Sequence, residues 1–405
     1  MKENLIREKV AQAKSLLKYF NIDCWMTVTR ESGLNGDPIL PYLLPGDVTW
    51  LTVIMLFKNG NDAVIAGEYD IASVDELGVY RNVIGYKESL KSVFQEILKN
   101  ENPRTIALNY SEDSEICDGL THGLYIKMKN YLRELGFESR IISSEPIISA
   151  IRERKTKSEI KLIKKAIIEA ERIFDEVRDF IKPGVSEIEI ADFVRSKVKE
   201  RNFTTAWDER ICPSVFTGPE TAEAHYKPTG RKVERGHVLN MDFGVKIDGY
   251  CSDLQRTFYV LEEGETSPPE EVIRGFNTII RIIDESRKAL KPGVKGIEVD
   301  TIARQILKEN GYDEFPHALG HQVGRFAHDG TALLGPAWEK YGDRPFKELM
   351  PGMVFTIEPR LKVENRGVIT IEEMVLIAEN GAEWLSHPQK QIHIIRRIPI
   401  RDKID

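Results

Sequence analysis

Two aspartates lie in a part of the chain that is otherwise apolar. Asp242 and Asp253 belong to the segment VLNMDFGVKIDGYCSDLQRTFYV, in which two apolar runs meet at Asp248-Gly249. An Asp-Gly pair between apolar runs is typical of a two-residue hairpin turn. Residues equidistant from the turn then face each other, so Asp242 faces Gln255, and Asp253 shares a strand face with Gln255. Both aspartates therefore project from one side of the hairpin, where their oxygens can converge on one or two cations.

A second pair of acids has the same arrangement further along the chain. VFTIEPRL and GVITIEEMVLI flank the turn segment KVENRG, and Glu358 and Glu372 are equidistant from Asn365. They are opposed if the loop is symmetric, and alternation along the strand then directs Glu373 to the other face. Four carboxylates around one point repel each other unless cations lie among them. The acids therefore predict a metal site, because a metal-free acid/base pair of the glycosidase kind needs only two.

Four of the eight histidines are candidates for the same site. His317, His321 and His328 lie in FPHALGHQVGRFAHDG, and His225 lies in AEAHYKPTGR, upstream of the first aspartate. Imidazole is a common metal ligand and a general acid or base near neutral pH. The other four histidines are interpreted as structural.

Length, composition and charge restrict the class of protein. A chain of 405 residues with 41% hydrophobic residues is large enough for two folded domains. It contains no run of about 18 uncharged apolar residues, which argues against a membrane span. Its four cysteines are scattered without a CxxC pair, which favours a reducing compartment, and we expect a cytoplasmic protein. The net charge of -7 and the lack of a basic stripe argue against nucleic acid as a partner.

The organisation of the chain indicates two domains. In the first part, predicted helices alternate with the strand-like segments CWMTVT, WLTVIMLF, DAVIAG and TIALNY, an order typical of an α/β domain. The charged segment IRERKTKS then leads into a helix that begins with the capping pattern Thr156-x-x-Glu159. We therefore predict one domain over residues 1–152 and a second over residues 153–405.

The second domain contains an internal repeat. FIKPGVSEIEIADFV and ALKPGVKGIEVDTIA each end a helix at Lys-Pro-Gly-Val and begin another through Ile-Glu. Each unit is followed by two strand-like segments joined by a turn, and the four acids lie on these two hairpins. The repeat predicts two similar α/β halves packed around a shared sheet.

Five separated motifs occur in the order and approximate spacing of a known family: AHYKPT, NMDFGVKIDGYCSDLQRTF, FPHALGHQVG, GMVFTIEP and IEEMVLI. They resemble the pita-bread metallopeptidase family M24, which contains methionine aminopeptidase, aminopeptidase P and prolidase (Xaa-Pro dipeptidase). The resemblance implies an α+β architecture, with a C-terminal pita-bread (creatinase/aminopeptidase) fold that has an internal pseudo-two-fold repeat. A smaller α/β creatinase-like N-terminal domain precedes it, which favours the prolidase and aminopeptidase P branch.

The resemblance also implies a centre of two divalent metal ions per subunit. Manganese is the first expectation, with cobalt, zinc or iron as alternatives, because oxygen ligands with one imidazole suit all four. A water or hydroxide held between the metals attacks the scissile carbonyl, and Glu358 shuttles the proton. The implied ligands are Asp242, Asp253, His321, Glu358 and Glu372, of which Asp253 and Glu372 bridge the two ions.

By the same resemblance the other candidate histidines belong to the substrate site. His328 donates to the carbonyl oxygen or the intermediate, and His225 contacts the substrate around the scissile amide, so both are expected to bind substrate and to assist catalysis. His317 helps to shape the substrate pocket. Arg256 and Thr257 support the ligands from behind. The N-terminal domain implies a homodimer.

Some positions depart from the pattern of the family. Arg360 replaces the usual glycine after Glu-Pro, Thr370 stands where an arginine normally precedes Ile-Glu, and Asp329 replaces a glutamate after the histidine. The segment 330–350 is longer than typical. None of these positions is an implied metal ligand, but they lie where the ends of a substrate would bind.

The leading functional hypothesis is a metal-dependent exopeptidase that hydrolyses Xaa-Pro dipeptides or short peptides with proline second. One alternative is a small-molecule amide hydrolase of the same fold. Another is a catalytically silent peptide-binding module, although such proteins tend to lose the metal ligands that this chain retains.

Overall fold

The computed structural model describes residues 2–112, 114–220 and 227–396, and the chain divides into two compact units, Met1–Arg152 and Glu153–Asp405. Among the described residues, every helix falls short of the length and apolar character that crossing a bilayer requires. The helices are α1 (Lys2–Tyr19), α2 (Ser32–Asn35), α3 (Ile71–Asp75), α4 (Lys91–Glu101), α5 (His122–Glu134), α6 (Glu145–Glu153), α7 (Lys157–Phe180), α8 (Glu187–Glu200), α9 (Glu270–Ala289) and α10 (Gly296–Glu309).

The strands are short, and several hairpins are interrupted. Those of the first unit are β1 (Cys24–Thr29), β2 (Thr52–Phe57), β3 (Asp62–Gly67), β4 (Val83–Tyr86), β5 (Ile106–Leu108) and β6 (Ile141–Ser143). Those of the second unit are β7 (Thr204–Thr205), β8 (Ser214–Thr217), β9 (Val238–Phe243), β10 (Val245–Ile247), β11 (Tyr250–Cys251), β12 (Leu254–Val260), β13 (Gly320–His321), β14 (Leu333–Leu334), β15 (Val354–Ile357), β16 (Arg360–Val363), β17 (Gly367–Thr370), β18 (Glu373–Ala378), β19 (Gly381–Trp384) and β20 (His393–Ile395).

The first unit is built on one six-stranded sheet in the order β4-β3-β2-β1-β5-β6. β1, β2 and β3 are antiparallel, whereas β4, β5 and β6 join by parallel pairing. Alternate side chains of β1 belong to different apolar clusters, with Trp25 in one and Met26 in the other. Both faces of the sheet are therefore covered, as expected for strands that are apolar at nearly every position.

The second unit contains two helix pairs related by the repeat. α7 begins with the expected capping box, in which the Thr156 side chain accepts from the backbone N–H of Glu159. α7 and α9 each lead through Pro-Gly into a second helix, and Gly184 and Gly293 both adopt positive φ, at 91° and 85°. The Gly184 N–H donates to Val233, and the Gly293 N–H donates to Leu349, in equivalent turns. The two halves thus share the backbone hydrogen bond at this turn as well as their helix order.

Two sheets carry the segments that follow these helix pairs. The first has the order β20-β12-β9-β8 and the second the order β15-β18-β19. An isolated antiparallel bridge between Gln255 and Glu372 joins β12 to the start of β18. The apolar faces of α9 and α10 pack on the second sheet in a cluster that includes Ile279, Val299 and Phe355, all fully buried.

The hairpin registers predicted from the sequence are confirmed. Asp248 and Gly249 form a tight turn with φ of 51° and 84°. Gln255 is paired with Asp242 in the β9–β12 ladder. In the second half, Arg360 is paired with Thr370 and Ile357 with Glu373, so both ladders are centred on Asn365 without a bulge.

Candidate metal centre

The predicted ligands all lie at or beside the ends of strands. Asp242 lies near the end of β9, Asp253 immediately precedes β12, and Glu372 immediately precedes β18. Glu358 follows β15, and His321 ends β13. The backbone N–H of Glu358 donates to Leu319, which ties the end of β15 to the segment that carries the histidine.

The imidazole of His321 lies at the centre of the carboxylates. Its Nε2 is 3.4 Å from Glu358 Oε1, 3.7 Å from Asp253 Oδ2 and 4.0 Å from Glu372 Oε1. One ligand atom from each of Asp253, His321 and Glu372 fits within 4.8 Å of the others. The Nδ1 atom of His321 faces the carbonyl of Gln322 at 3.4 Å. The tautomer protonated at Nδ1 leaves the Nε2 lone pair directed at the acids, as a metal ligand requires.

Asp242 belongs to the same group, because it is paired with Gln255, whose amide donates to Glu358. Burial raises the pKa of Asp253, Glu358 and Glu372 well above the ordinary range, and the charge of Asp242 raises the pKa of each of them further. Burial raises the pKa of Asp242 itself to about 7. The structure therefore brings together all five residues that the sequence nominated: Asp242, Asp253, His321, Glu358 and Glu372.

Three carboxylate oxygens of this cluster are buried without a hydrogen-bond partner in the described part of the chain. They are Asp242 Oδ1 and both oxygens of Glu372. A buried acceptor without a partner costs free energy, so such atoms need an explanation in a native fold. Divalent cations supply one, because carboxylate oxygens with an imidazole are ligands that manganese, cobalt, iron and zinc accept. The donor set therefore fits the metals that the sequence implied.

The metal-free protein is expected to lose stability as pH rises from about 4 to about 7. A carboxyl whose pKa is raised binds its proton more tightly in the folded state than in the unfolded state. Its contribution to the stability of the fold is therefore complete at a pH below the pKa of the unfolded state, and it is lost as the pH rises through the pKa of the folded state. For Asp242, raised to about 7, the loss is on the order of a few kcal/mol. Thermal unfolding in chelator at pH 5 and pH 8 measures it.

Added Mn²⁺ is expected to restore the melting temperature at pH 8, because a cation stabilises the ionised carboxylates. The variant Asp242→Asn is the control and should show a shallower pH dependence without metal. An equally steep pH dependence in that variant would contradict the assignment of this loss to the cluster.

Glu373 has a different environment from its neighbour Glu372. Its carboxylate is 3.1 Å from Arg256 Nη1, accepts from Ser386 Oγ at 2.6 Å and accepts from the backbone N–H of Gln389 at 2.8 Å. Glu373 is fully buried and its hydrogen bonds are made by the chain itself. Strand alternation therefore places Glu372, and not Glu373, with the other acids.

The remaining candidate histidines differ in their position and in their exposure to solvent. The His328 ring lies 4.1 Å from the His321 ring at an interplanar angle of 59°, and His328 is exposed. His317 is partly buried in the segment before β13, where burial and the nearby cations of Arg360 and Arg304 lower its pKa to about 4. His225 lies outside the described residues.

Support for the cluster comes partly from residues that the sequence nominated. Arg256 Nη1 donates to the backbone carbonyls of Gln255 and Glu372, at 3.0 Å each. Thr257 Oγ1 lies 2.7 Å from the carbonyl of Thr370. These contacts fix the strands on which the acids lie.

Two further contacts to Glu358 were not anticipated as functional. Thr356 Oγ1 lies 3.4 Å from Glu358 Oε1, and Gln255 Nε2 donates to Glu358 Oε2 at 3.3 Å. The sequence did contain a signal for Gln255, since the hairpin register placed it opposite Asp242 and on the face of Asp253. A polar residue on the same face as two candidate ligands is itself a candidate.

Comparisons with known proteins identify the family of this chain. Residues 161–379, just over half of the chain, match the profile of Metallopeptidase family M24. An uncharacterized peptidase of Staphylococcus epidermidis is 32% identical over 244 residues, which cover 60% of this chain and only 65% of that relative's length. The Xaa-Pro dipeptidase of Pyrococcus furiosus is 29% identical over 337 residues, covering 81% of this chain and 89% of that protein.

The structural comparison supports the fold over almost the whole chain. An Xaa-Pro dipeptidase from Bacillus anthracis superposes with a TM-score of 0.72 at 24% identity, covering 96% of this chain and 99% of that one. At this identity the match shows the fold alone, and it confirms the predicted pita-bread fold with an N-terminal α/β domain. The named relatives confirm the predicted branch. This chain belongs to metallopeptidase family M24, a family of hydrolases, as its motifs predicted.

Proposed function

We propose that this protein is a metal-dependent exopeptidase that hydrolyses Xaa-Pro dipeptides or short peptides with proline second. The observation that carries the proposal is the convergence of three carboxylates, those of Asp253, Glu358 and Glu372, within 4.0 Å of His321 Nε2. Three buried oxygens of Asp242 and Glu372 also lack hydrogen-bond partners among the described residues. The relative from Pyrococcus furiosus named Xaa-Pro dipeptidase supports the choice of substrate.

The cluster would hold two divalent cations per subunit, with manganese as the first candidate. The residues that would hold them are Asp242, Asp253, His321, Glu358 and Glu372. Such cations supply Lewis-acid activation of a nucleophile and of the scissile carbonyl. All five ligands come from the second unit, on strand ends of both repeat halves.

The chain's own groups would orient the substrate and move protons. Glu358, held by Thr356 and Gln255, would accept the proton of the nucleophile and deliver it to the leaving amine. His328, exposed beside the cluster, would donate a hydrogen bond to the carbonyl oxygen as negative charge develops there. His225 would contact the scissile amide, and His317 would line the substrate pocket.

The direct test is proline release. Protein stripped of metal by chelation should be inactive and, after addition of Mn²⁺ or Co²⁺, should release free proline from an Xaa-Pro dipeptide. The variant Asp253→Asn should bind metal poorly and release none. If no divalent metal supports proline release by the parent protein, the proposed function is wrong.

A substrate panel separates the neighbouring activities. Dipeptides, tripeptides with proline second and a peptide that begins with methionine distinguish a dipeptidase from an aminopeptidase. Metal binding without hydrolysis of any of these peptides would favour the small-molecule amide hydrolase or the silent peptide-binding module.

The proposal also includes a cytoplasmic location and a homodimer. Cys24, Cys117, Cys212 and Cys251 are buried and unpaired, which fits a reducing compartment. Sedimentation equilibrium of the purified protein measures the oligomeric state directly.

A further inference from the structure

Gln255 lies between two of the candidate ligands. It is paired with Asp242 in the β9–β12 ladder and bridged to Glu372 on its other side. The bridge consists of two backbone bonds, from the Glu372 N–H to the Gln255 carbonyl at 3.2 Å and the reverse at 3.4 Å. Side chains of directly paired residues on neighbouring strands point to the same face. Gln255 is therefore the middle member of a row of three side chains, and it is only 8% exposed.

The side-chain amide of Gln255 has two hydrogen-bond partners, one at its oxygen and one at its nitrogen. Thr370 Oγ1 lies 2.7 Å from Gln255 Oε1, and Gln255 Nε2 lies 3.3 Å from Glu358 Oε2. An ionised carboxylate only accepts hydrogen bonds, whereas a hydroxyl can donate. The flipped amide would place its carbonyl oxygen against the carboxylate of Glu358. The carboxylate of Glu358 therefore selects the orientation in which Gln255 donates to it, and the hydroxyl of Thr370 holds that orientation by donating to Gln255 Oε1.

Glu358 differs from Glu372 in the hydrogen bonds that its carboxylate accepts. Thr356 and Gln255 provide one hydrogen bond to each oxygen of Glu358, whereas neither oxygen of Glu372 has a hydrogen-bond partner in the described chain. A carboxylate oxygen accepts more than one bond, so Glu358 keeps acceptor capacity after its rotamer is fixed. A neutral amide also supplies its hydrogen bond without adding a fifth negative charge to the cluster.

We propose that Gln255, oriented by Thr370, is a positioning residue that holds Glu358 in the geometry required for metal binding and proton transfer. This inference rests on the proposed metal site. It assigns a role to one of the positions where the chain departs from the family pattern, since Thr370 replaces an arginine there. Groups that orient a metal ligand typically change affinity or activity by about 10–100-fold when they are removed.

The test compares variants that remove or retain the hydrogen bonds. Gln255→Leu removes the amide, and Thr370→Val removes the hydroxyl at nearly constant volume, while Thr370→Ser keeps the hydroxyl. Thr278→Val is the matched control, because it removes another buried hydroxyl of the same unit. The Thr278 hydroxyl donates to the backbone carbonyl of Arg274 within α9. Mn²⁺ affinity of the metal-stripped proteins is measured by titration calorimetry, together with kcat and KM for an Xaa-Pro dipeptide.

Gln255→Leu and Thr370→Val should each weaken Mn²⁺ binding about tenfold and lower kcat about tenfold, with KM changed less than about threefold. Thr370→Ser should regain most of both, and Thr278→Val should keep the parent affinity. Parent-like Mn²⁺ affinity in both Gln255→Leu and Thr370→Val would overturn the inference, even if the parent releases proline. Equal losses in Thr370→Ser and Thr370→Val would overturn it too, because packing rather than the hydroxyl would then be responsible.

A parent protein that binds Mn²⁺ but releases no proline would contradict the proposed peptidase function alone. The affinity comparison among the variants would still decide whether Gln255 positions Glu358. Melting temperatures of the metal-free variants complete the test, since a drop confined to stability, without change in affinity, would identify a purely structural role and overturn the inference.

Discussion

Replacing Glu372 by glutamine is expected to abolish the binding of divalent cations, whereas the same change at Glu373 is expected to preserve it. Both oxygens of Glu372 are buried without a hydrogen-bond partner among the described residues, and Glu372 Oε1 lies 4.0 Å from His321 Nε2. Removal of a proposed metal ligand should weaken Mn²⁺ binding by more than about 100-fold, because loss of a group that only supports a ligand already costs up to that much. Titration calorimetry of the metal-stripped protein measures the change.

Glu373→Gln is the matched control, with the same chemistry one residue away. Glu373 makes a buried ion pair with Arg256 at 3.1 Å. Breaking one partner of a buried pair typically destabilises a fold by about 3–5 kcal/mol. The control should therefore melt at a lower temperature yet bind Mn²⁺ within about tenfold of the parent. If Glu373→Gln lost metal as completely as Glu372→Gln, the assignment of faces on β18 would be wrong.

The positions of the acids could be predicted because hairpin geometry is local. An Asp-Gly turn fixes the register of both strands, and alternation then decides which side chains share a face. The same reasoning applied to the loop around Asn365 separated Glu372 from Glu373. Because both ladders contain no bulge, the prediction from spacing alone agrees with the structure.

Interruptions of the first hairpin could not be predicted in the same way. The sequence pattern suggests two continuous strands, but β9 ends at Phe243 and β12 begins only after Asp253. At Gly244 a Cβ atom would lie 2.0 Å from the carbonyl oxygen of Ser252, so the two backbones approach too closely for any side chain. This close approach depends on three-dimensional packing, although a glycine inside a strand pattern is its usual signature.

The sequence placed Gln255 on the face of the candidate ligands, but its proposed role could not be predicted from the sequence, for a different reason. The register identified its neighbours, but the hydrogen bond to Glu358 crosses from one half of the repeat to the other. The hydroxyl that orients the amide comes from Thr370, on a strand distant in sequence. Contacts of this kind depend on how the two halves pack, and the local periodicity of the sequence does not determine that packing.

His328→Ala is expected to leave Mn²⁺ binding intact and to lower kcat by about 10²–10³-fold. The exposed ring of His328 lies beside His321, with 4.1 Å between ring centroids, so it can reach a substrate that approaches the cluster. Loss of a single donor to a developing oxyanion has effects of this size, because the donor binds the transition state more strongly than the ground state. Steady-state kinetics on an Xaa-Pro dipeptide and calorimetric Mn²⁺ titration measure the two quantities separately.

His387→Ala provides the comparison, since His387 is an exposed histidine of the same unit whose Nδ1 lies 2.7 Å from Glu171 Oε2. It should keep the parent kcat, because its ring contacts Glu171 rather than a candidate ligand, and Arg256 beside Glu171 keeps its own bonds to Glu372 and Glu373. A kcat of His328→Ala equal to that of His387→Ala would show that His328 does not touch the reacting carbonyl. A loss of Mn²⁺ binding in His328→Ala would instead assign it to the metal, which the carboxylates and the Nε2 atom of His321 are proposed to hold without it.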